Sequence, residues 1–172
     1  FILSKINPMF VELAFKFNSD KFLIESMLEP NEKTSKFSTE SLNLLNNEKQ
    51  VEFLGYVKNM IKLYEKTSIV CLPSYREGLS KTLQEAAAIG LPTVTTRVTG
   101  CKDAIIPGKT GILCFPKDVT SLKNALQILI SDKKKRLKFG LNGRKLAEKE
   151  FDLNKVIKTN ILIYDKLVSN EK

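Results

Sequence analysis

The sequence predicts an α/β domain: a parallel sheet flanked by helices. Three observations predict it. Helical and strand-like patterns alternate along the chain. Ile69-Val70-Cys71-Leu72 is a continuous apolar run, as in a central parallel strand covered on both faces. A polar turn with a glycine follows that run and leads into a helical pattern, which is the repeating unit of such sheets.

The elements follow in order. Residues Pro8 to Phe17 carry Phe10, Val11, Leu13, Ala14 and Phe17, read as one face of a helix with Pro8 in its first turn. Phe22, Leu23 and Ile24 make Lys21 to Glu25 a short buried strand. Glu29 to Ser38 is polar and reads as an exposed loop, and Ser41 to Asn46 as a short helix. Val51, Phe53 and Leu54 form a strand that stops at Gly55. Asn59 to Lys66 is helical, with Met60, Ile61 and Tyr64 on one side. After the Ile69–Leu72 run, Pro73 and Ser74 break the strand. Ser80 can cap a helix through Leu83, Ala86, Ala87 and Ile89, which Gly90 and Pro92 stop. Thr93 to Thr96 is a β-branched strand, Gly100 opens a turn toward Ala104, and Ile112 to Phe115 is the last strand. Helices fill about 118–131, 133–148 and 153–168.

The 172 residues allow one domain or one half of a larger enzyme. Apolar residues at 42% and charged residues at 27% match an ordinary globular protein. Histidine is absent, which excludes a Ser-His-Asp triad, a histidine general base and a histidine-bound metal. Cys71, Cys101 and Cys114 form no CxxC pair, so a zinc ribbon or thioredoxin-type site is excluded. Cys71 and Cys114 sit in apolar runs and read as buried free thiols of a reducing compartment, which points to the cytoplasm. No apolar stretch reaches the roughly 18 residues of a transmembrane helix. The sequence opens on Phe1 with no signal-peptide n-region before it, as expected of a piece of a longer chain.

The segment Leu72 to Glu85 carries the candidate chemistry. Ligands of open parallel sheets sit outside the carboxyl ends of the strands. A helix N-terminus there offers unpaired N–H groups and partial positive charge, and glycine allows close approach. Glu77 stands before the helix and Glu85 inside it, roughly 7–8 Å along the axis from Ser80 at 1.5 Å per residue. A diphosphate at the helix end would let each carboxylate reach hydroxyls on opposite sides of it, as in a nucleotide sugar. The plain alternative is one Glu that favours the helix dipole and another exposed on the helix.

Several segments resemble the donor-binding half of a family 4 glycosyltransferase of the two-domain GT-B architecture. They are Phe53-Leu54-Gly55-Tyr56-Val57, Pro73-Ser74-Tyr75-Arg76-Glu77-Gly78-Leu79-Ser80, Leu83-Gln84-Glu85-Ala86 and Gly90-Leu91-Pro92-Thr93-Val94-Thr95-Thr96. Gly100 with Asp103, and Gly108 with Gly111, continue the match. The resemblance implies a Rossmann-like sheet forming one half of a GT-B fold. Residues 1–172 would be the nucleotide-sugar donor-binding domain, with the N-terminal acceptor domain absent from this chain.

In that family the first Glu of the motif lies beside the donor sugar and the second binds the ribose. Those roles fall on Glu77 and Glu85. The N–H groups of Gly78, Leu79 and Ser80 would face the sugar and the β-phosphate. Phe10-Val11-Glu12-Leu13-Ala14 resembles the helix after a phosphate-binding loop, which places the family's lysine at Lys5, or else at Lys16. Ile6 stands where a glycine is usual, and the matching arginine would fall at or before Phe1. Tyr56 follows the glycine where the nucleobase lies, or simply packs. Ser80, in place of a proline, caps the helix or touches a phosphate. Asp103 stands where the family has Glu, and its role is open.

The implied reaction moves a hexose or N-acetylhexosamine, with retention, from a nucleotide diphosphate sugar to a saccharide or lipid-linked acceptor. The motif variant favours a UDP-sugar in bacterial surface-polysaccharide synthesis. Placed charges and the helix N-terminus would stabilise the leaving diphosphate, with no metal and no cofactor. The acceptor, including a polyprenyl-linked one, would be gripped by the absent domain.

The net charge of +9 is concentrated late, at Lys133, Lys134, Lys135, Arg136, Lys138, Arg144, Lys145 and Lys149. That helix is either a solvated face or a peripheral contact with anionic lipid on the inner face of the cell membrane. Two other classes remain. A basic α/β domain can be a nucleic-acid-binding module, but the aromatics are not interleaved with the basic residues as stacking platforms, so no nucleic-acid partner is expected. A GT-B relative that epimerises a nucleotide sugar normally relies on histidine, which is missing here.

Overall fold

The computed structural model describes residues 11–17, 20–26, 51–55 and 57–169. Its sheet has six strands: β1 (Val11–Phe17), β2 (Asp20–Ser26), β3 (Val51–Gly55), β4 (Ile69–Leu72), β5 (Thr93–Thr96) and β6 (Gly111–Cys114). Their order across the sheet is β3-β1-β2-β4-β5-β6. Strands β2, β4, β5 and β6 run parallel, in the expected α/β manner. Strand β1 is antiparallel to both β2 and β3.

That strand corrects one expectation. Residues 11–17 are not the end of a helix but a seven-residue strand. The segment satisfies two periods at once. Val11, Leu13, Phe15 and Phe17 also alternate with Glu12, Ala14 and Lys16, and short apolar segments do not separate helix from strand by period alone. Val and Phe favour the extended form, and pairing on both sides satisfies the backbone. The expected loop at Glu29–Ser38 and helix at Ser41–Asn46 lie outside the described residues.

The remaining elements follow the sequence closely. Helix α1 (Met60–Tyr64) is capped by Asn59, whose side chain accepts from the Lys62 N–H at 3.2 Å. Helix α2 (Lys81–Ile89) starts at Ser80 and ends at Gly90, whose φ of 81° is the left-handed cap that glycine adopts most cheaply. A 3₁₀ turn covers Lys102–Ala104. Helices α3 (Val119–Ser131), α4 (Lys133–Glu150) and α5 (Leu153–Ser169) complete the described chain.

Strands β4 and β5 are buried at every residue. Alternate side chains of β4 serve opposite faces, as pleating requires. Ile69 and Cys71 pack with Val94, Leu129 of α3 and Phe139 of α4. Val70 packs with Met60, Tyr64 and Ala86, and Leu72 with Leu83 and Ile105. Both sheet faces are therefore covered around the end of β4, where the candidate site lies. The three cysteines are buried and free.

Helix α2 is held against α4 at close range. A Cβ on Gly140 would overlap the carbonyl oxygen of Gly90, and one on Gly143 would sit 3.4 Å from the Ala87 Cα. This contact fixes the far side of the helix that carries Glu85.

Candidate functional site

The chain leaves β4 at Leu72 and enters α2 at Lys81. The loop between them is tied to the neighbouring strand. Thr95 Oγ1 donates to the Leu72 carbonyl at 2.8 Å, and Thr96 Oγ1 donates to the Ser74 carbonyl. Ser74 Oγ donates to the Arg76 carbonyl at 3.0 Å, and Gln84 Nε2 to that of Leu79 at 3.3 Å. Thr95 and Thr96 of β5 thus carry polar hydrogens to backbone carbonyls at the end of β4 and the start of the loop.

The turn after β5 presses on the same loop from the other side. Gly100 has φ of 83°, and a Cβ there would overlap the Gly78 carbonyl oxygen and lie 2.5 Å from that of Glu77. Only glycine fits this approach. The Gly100 N–H donates to Asp103 Oδ2 at 3.2 Å, so the Asp103 carboxylate closes the turn.

Glu77 is half-buried in this setting. Burial holds its carboxyl above the usual range, while hydrogen bonds with the side chains of Ser74 and Ser80 pull in the opposite direction. Buried Ser80 caps α2, its Oγ accepting from the Leu83 N–H at 3.4 Å. Gly78 is exposed, and no atom of the described residues lies within 4 Å of where its Cβ would stand. Its φ is not positive. Neither backbone conformation nor packing within the described residues demands a glycine there, so the open space in front of the helix N-terminus is what its missing side chain provides.

Glu85 is half-buried one turn further along α2. Tyr64 Oη donates to its Oε2 at 3.1 Å. Burial again raises its carboxyl, with the Tyr64 hydrogen bond and then the charge of Lys81 acting to lower it. Glu85 lines a cleft of about 510 Å³ with Ile61, Tyr64, Gln84, Arg144 and Phe151. A second cleft, of about 810 Å³, lies beside Leu79, Asp103, Lys109 and Lys145.

Sequence reasoning placed Glu77, Gly78, Leu79, Ser80 and Glu85 on one strand–turn–helix unit, and the structure has them there. Glu85 lines the first cleft, and Glu77 hydrogen-bonds with the side chains of Ser74 and Ser80. Lys5 and Tyr56 lie outside the described residues. The alternative Lys16 sits on β1 opposite Lys21, and the helix used to align both lysines is that strand. Tyr64 was read only as part of an apolar face. Its signal was chemical, since a tyrosine on a buried helix face carries a hydroxyl that needs a partner.

Arg136 does not belong to the surface run of basic residues. It is buried, and its Nη1 donates to the carbonyls of Leu129 and Ile130 at 2.9 and 2.8 Å, closing the end of α3. Arg144 is bound to Glu148 at 2.7 Å and to the Ala88 carbonyl, and Lys149 pairs with Glu150 at 2.8 Å. No described helix is long and apolar enough to cross a membrane.

Residues 29–146 match the sequence profile of the family described as glycosyl transferases group 1. The chain is 33% identical over 101 residues to the capsular polysaccharide biosynthesis glycosyltransferase CapM of Staphylococcus aureus, covering 59% of this chain and 27% of that protein. It is 30% identical over 133 residues to the N,N'-diacetylbacillosaminyl-diphospho-undecaprenol alpha-1,3-N-acetylgalactosaminyltransferase of Campylobacter jejuni, covering 77% and 35%. The chain thus spans about a third or less of these relatives. Among solved structures, Anabaena Alr3699/HepE in complex with UDP superposes with a TM-score of 0.65 at 26% identity, over 76% of this chain and 35% of that one. The C-terminal domain of a glycosyl transferase group 1 family protein of Francisella tularensis superposes with a TM-score of 0.63 at 25% identity, over 72% and 66%. The fold is the Rossmann-like half of GT-B enzymes. On the match of its profile over most of the sequence, the chain belongs to the glycosyl transferases group 1 family.

Proposed function

We propose that residues 1–172 are the donor-binding domain of a family 4 retaining glycosyltransferase. It takes a nucleotide diphosphate sugar, a UDP-hexose or UDP-N-acetylhexosamine, and passes the sugar to a saccharide or polyprenyl-linked acceptor. The carrying observation is the unit from Leu72 to Glu85. A helix N-terminus stands at the carboxyl end of a parallel strand with open space before Gly78 and a half-buried carboxyl on each side. Burial raises both carboxyls, a pattern that clusters at functional sites. A relative of similar fold was crystallised with UDP, UDP-glucose, and UDP with glucose, which supports a nucleotide sugar as the ligand class.

In this reading Glu77 stands beside the donor sugar and is the residue on which transfer depends. The N–H groups of Gly78, Leu79 and Ser80 face the β-phosphate, where the helix dipole favours the charge that develops on the leaving group. Glu85 accepts from the ribose hydroxyls. Lys5 and Tyr56 keep the phosphate and base roles that the resemblance gave them. The chemistry uses these fixed charges and needs no metal and no cofactor. The acceptor is held by a further domain, toward which α5 extends, and the exposed lysines of α4 touch anionic lipid on the cytoplasmic leaflet.

The test is substitution in the full-length enzyme. Glu77→Ala abolishes transfer while the circular dichroism spectrum and melting temperature stay near wild type. Unchanged turnover would remove the assignment. Flotation with anionic vesicles at low and high salt tests the lipid contact, and absence of binding at low salt would exclude it.

A further inference from the structure

We propose that Tyr64 is a positioning residue that aims Glu85 at the ribose of the bound nucleotide. The proposal rests on the reading of Glu85 as the ribose ligand. Tyr64 is 2% exposed and packs among Met60, Val70 and Ala86, so α1, β4 and α2 together fix its ring. A phenol has only two side-chain torsions, and here the core sets both. Its Oη emerges from that core and donates to Glu85 Oε2 at 3.1 Å. A glutamate on a helix face otherwise samples many rotamers. One hydrogen bond from a rigid donor selects among them and occupies a single acceptor site. A carboxylate offers about four, so the others remain for vicinal hydroxyls.

The same bond favours the anion that a hydroxyl-binding residue needs. The groups around Glu85 do little else for it. Lys81 lies on its own helix. Arg144 and Glu148 of α4 and Asp152 before α5 line the same cleft, but Arg144 is bound to Glu148 and to the Ala88 carbonyl, and the Asp152 carboxylate accepts from the Asn154 N–H at 2.9 Å. Tyr64 and Lys81 therefore oppose the burial that pushes the Glu85 carboxyl up.

Tyr64→Phe keeps the buried ring and removes the hydroxyl that donates to Glu85. Calorimetric titration with UDP across pH reads the effect. The expected result is roughly three- to tenfold weaker binding at neutral pH. On acidification the variant should also lose affinity at a higher pH than wild type. In a Glu85→Gln background, Tyr64→Phe should change little, because its target has gone. If Glu85→Gln binds UDP like wild type, the ribose reading fails and takes the proposal with it. If Glu85→Gln weakens UDP but Tyr64→Phe shifts neither affinity nor pH midpoint, the ribose reading stands and the role of Tyr64 is overturned. Equal weakening by Tyr64→Phe in both backgrounds also overturns it.

Discussion

Glu77 and Glu85 share a direction of perturbation, and its sign makes a prediction. Each carboxyl is raised in the folded chain above its ordinary 4.5, so the native state keeps protons that the unfolded chain has released. Their effect on stability is most favourable below about 4.5 and declines as pH rises through the folded values. Replacing both by Gln should flatten that decline in urea unfolding measured from pH 4 to pH 8. A slope unchanged by the double replacement would contradict the burial described for them. At Gly100 the constraint is steric. Gly100→Ala combines a left-handed φ with overlap on the Gly78 carbonyl, and should cost about 2 kcal/mol or more. Denaturant unfolding measures the loss. The displaced loop should also weaken UDP binding, since Gly100 supports the Glu77–Gly78 backbone.

At the scale of elements, helix α2 depends on its cap. Ser80→Ala removes the acceptor for the Leu83 N–H and should destabilise by about 1 kcal/mol, read from urea unfolding. Strand β5 holds a different opportunity. Among the described residues the buried Thr93 Oγ1 finds no hydrogen-bond partner, unlike the hydroxyls of Thr95 and Thr96. Thr93→Val keeps the shape, removes the stranded hydroxyl, and should stabilise by about 1 kcal/mol. Loss of stability would show that the hydroxyl has a partner in solution. The elements from β3 onward were legible because each carries its own punctuation. Ser80 and Gly90 bracket α2, and the short apolar run at Ile69–Leu72, broken by Pro73, suits a covered strand. Residues 11–17 were not legible, because their apolar positions fit both periods and strand pairing decided between them. The candidate site divides in the same way. Local sequence carried Glu77, Ser80 and Glu85. The contacts of Tyr64 with Glu85 and of Gly100 with Gly78 join residues 21 or 22 positions apart, and no local pattern encodes them.

At the scale of the whole molecule, two surfaces remain open. Helix α5 buries no residue, and Ile157, Ile161 and Tyr164 are about half exposed or more, at 47%, 53% and 68%. Such an apolar face suits the further domain that the proposed function requires. The net charge of +9 is less of a uniform patch than the sequence suggested, since Arg136 is buried and Arg144 and Lys149 are paired. Phosphate recognition and electrostatic attraction to lipid remain the proposed uses of the rest. The proposed site takes a nucleoside diphosphate. Thermal unfolding with UDP, GDP and a short oligonucleotide tests it most directly, because a ligand that binds only the folded state raises the melting temperature. UDP should stabilise the protein, Glu85→Ala should weaken that stabilisation, and the oligonucleotide should give none. Stabilisation by the oligonucleotide alone, or none by either diphosphate, would contradict it.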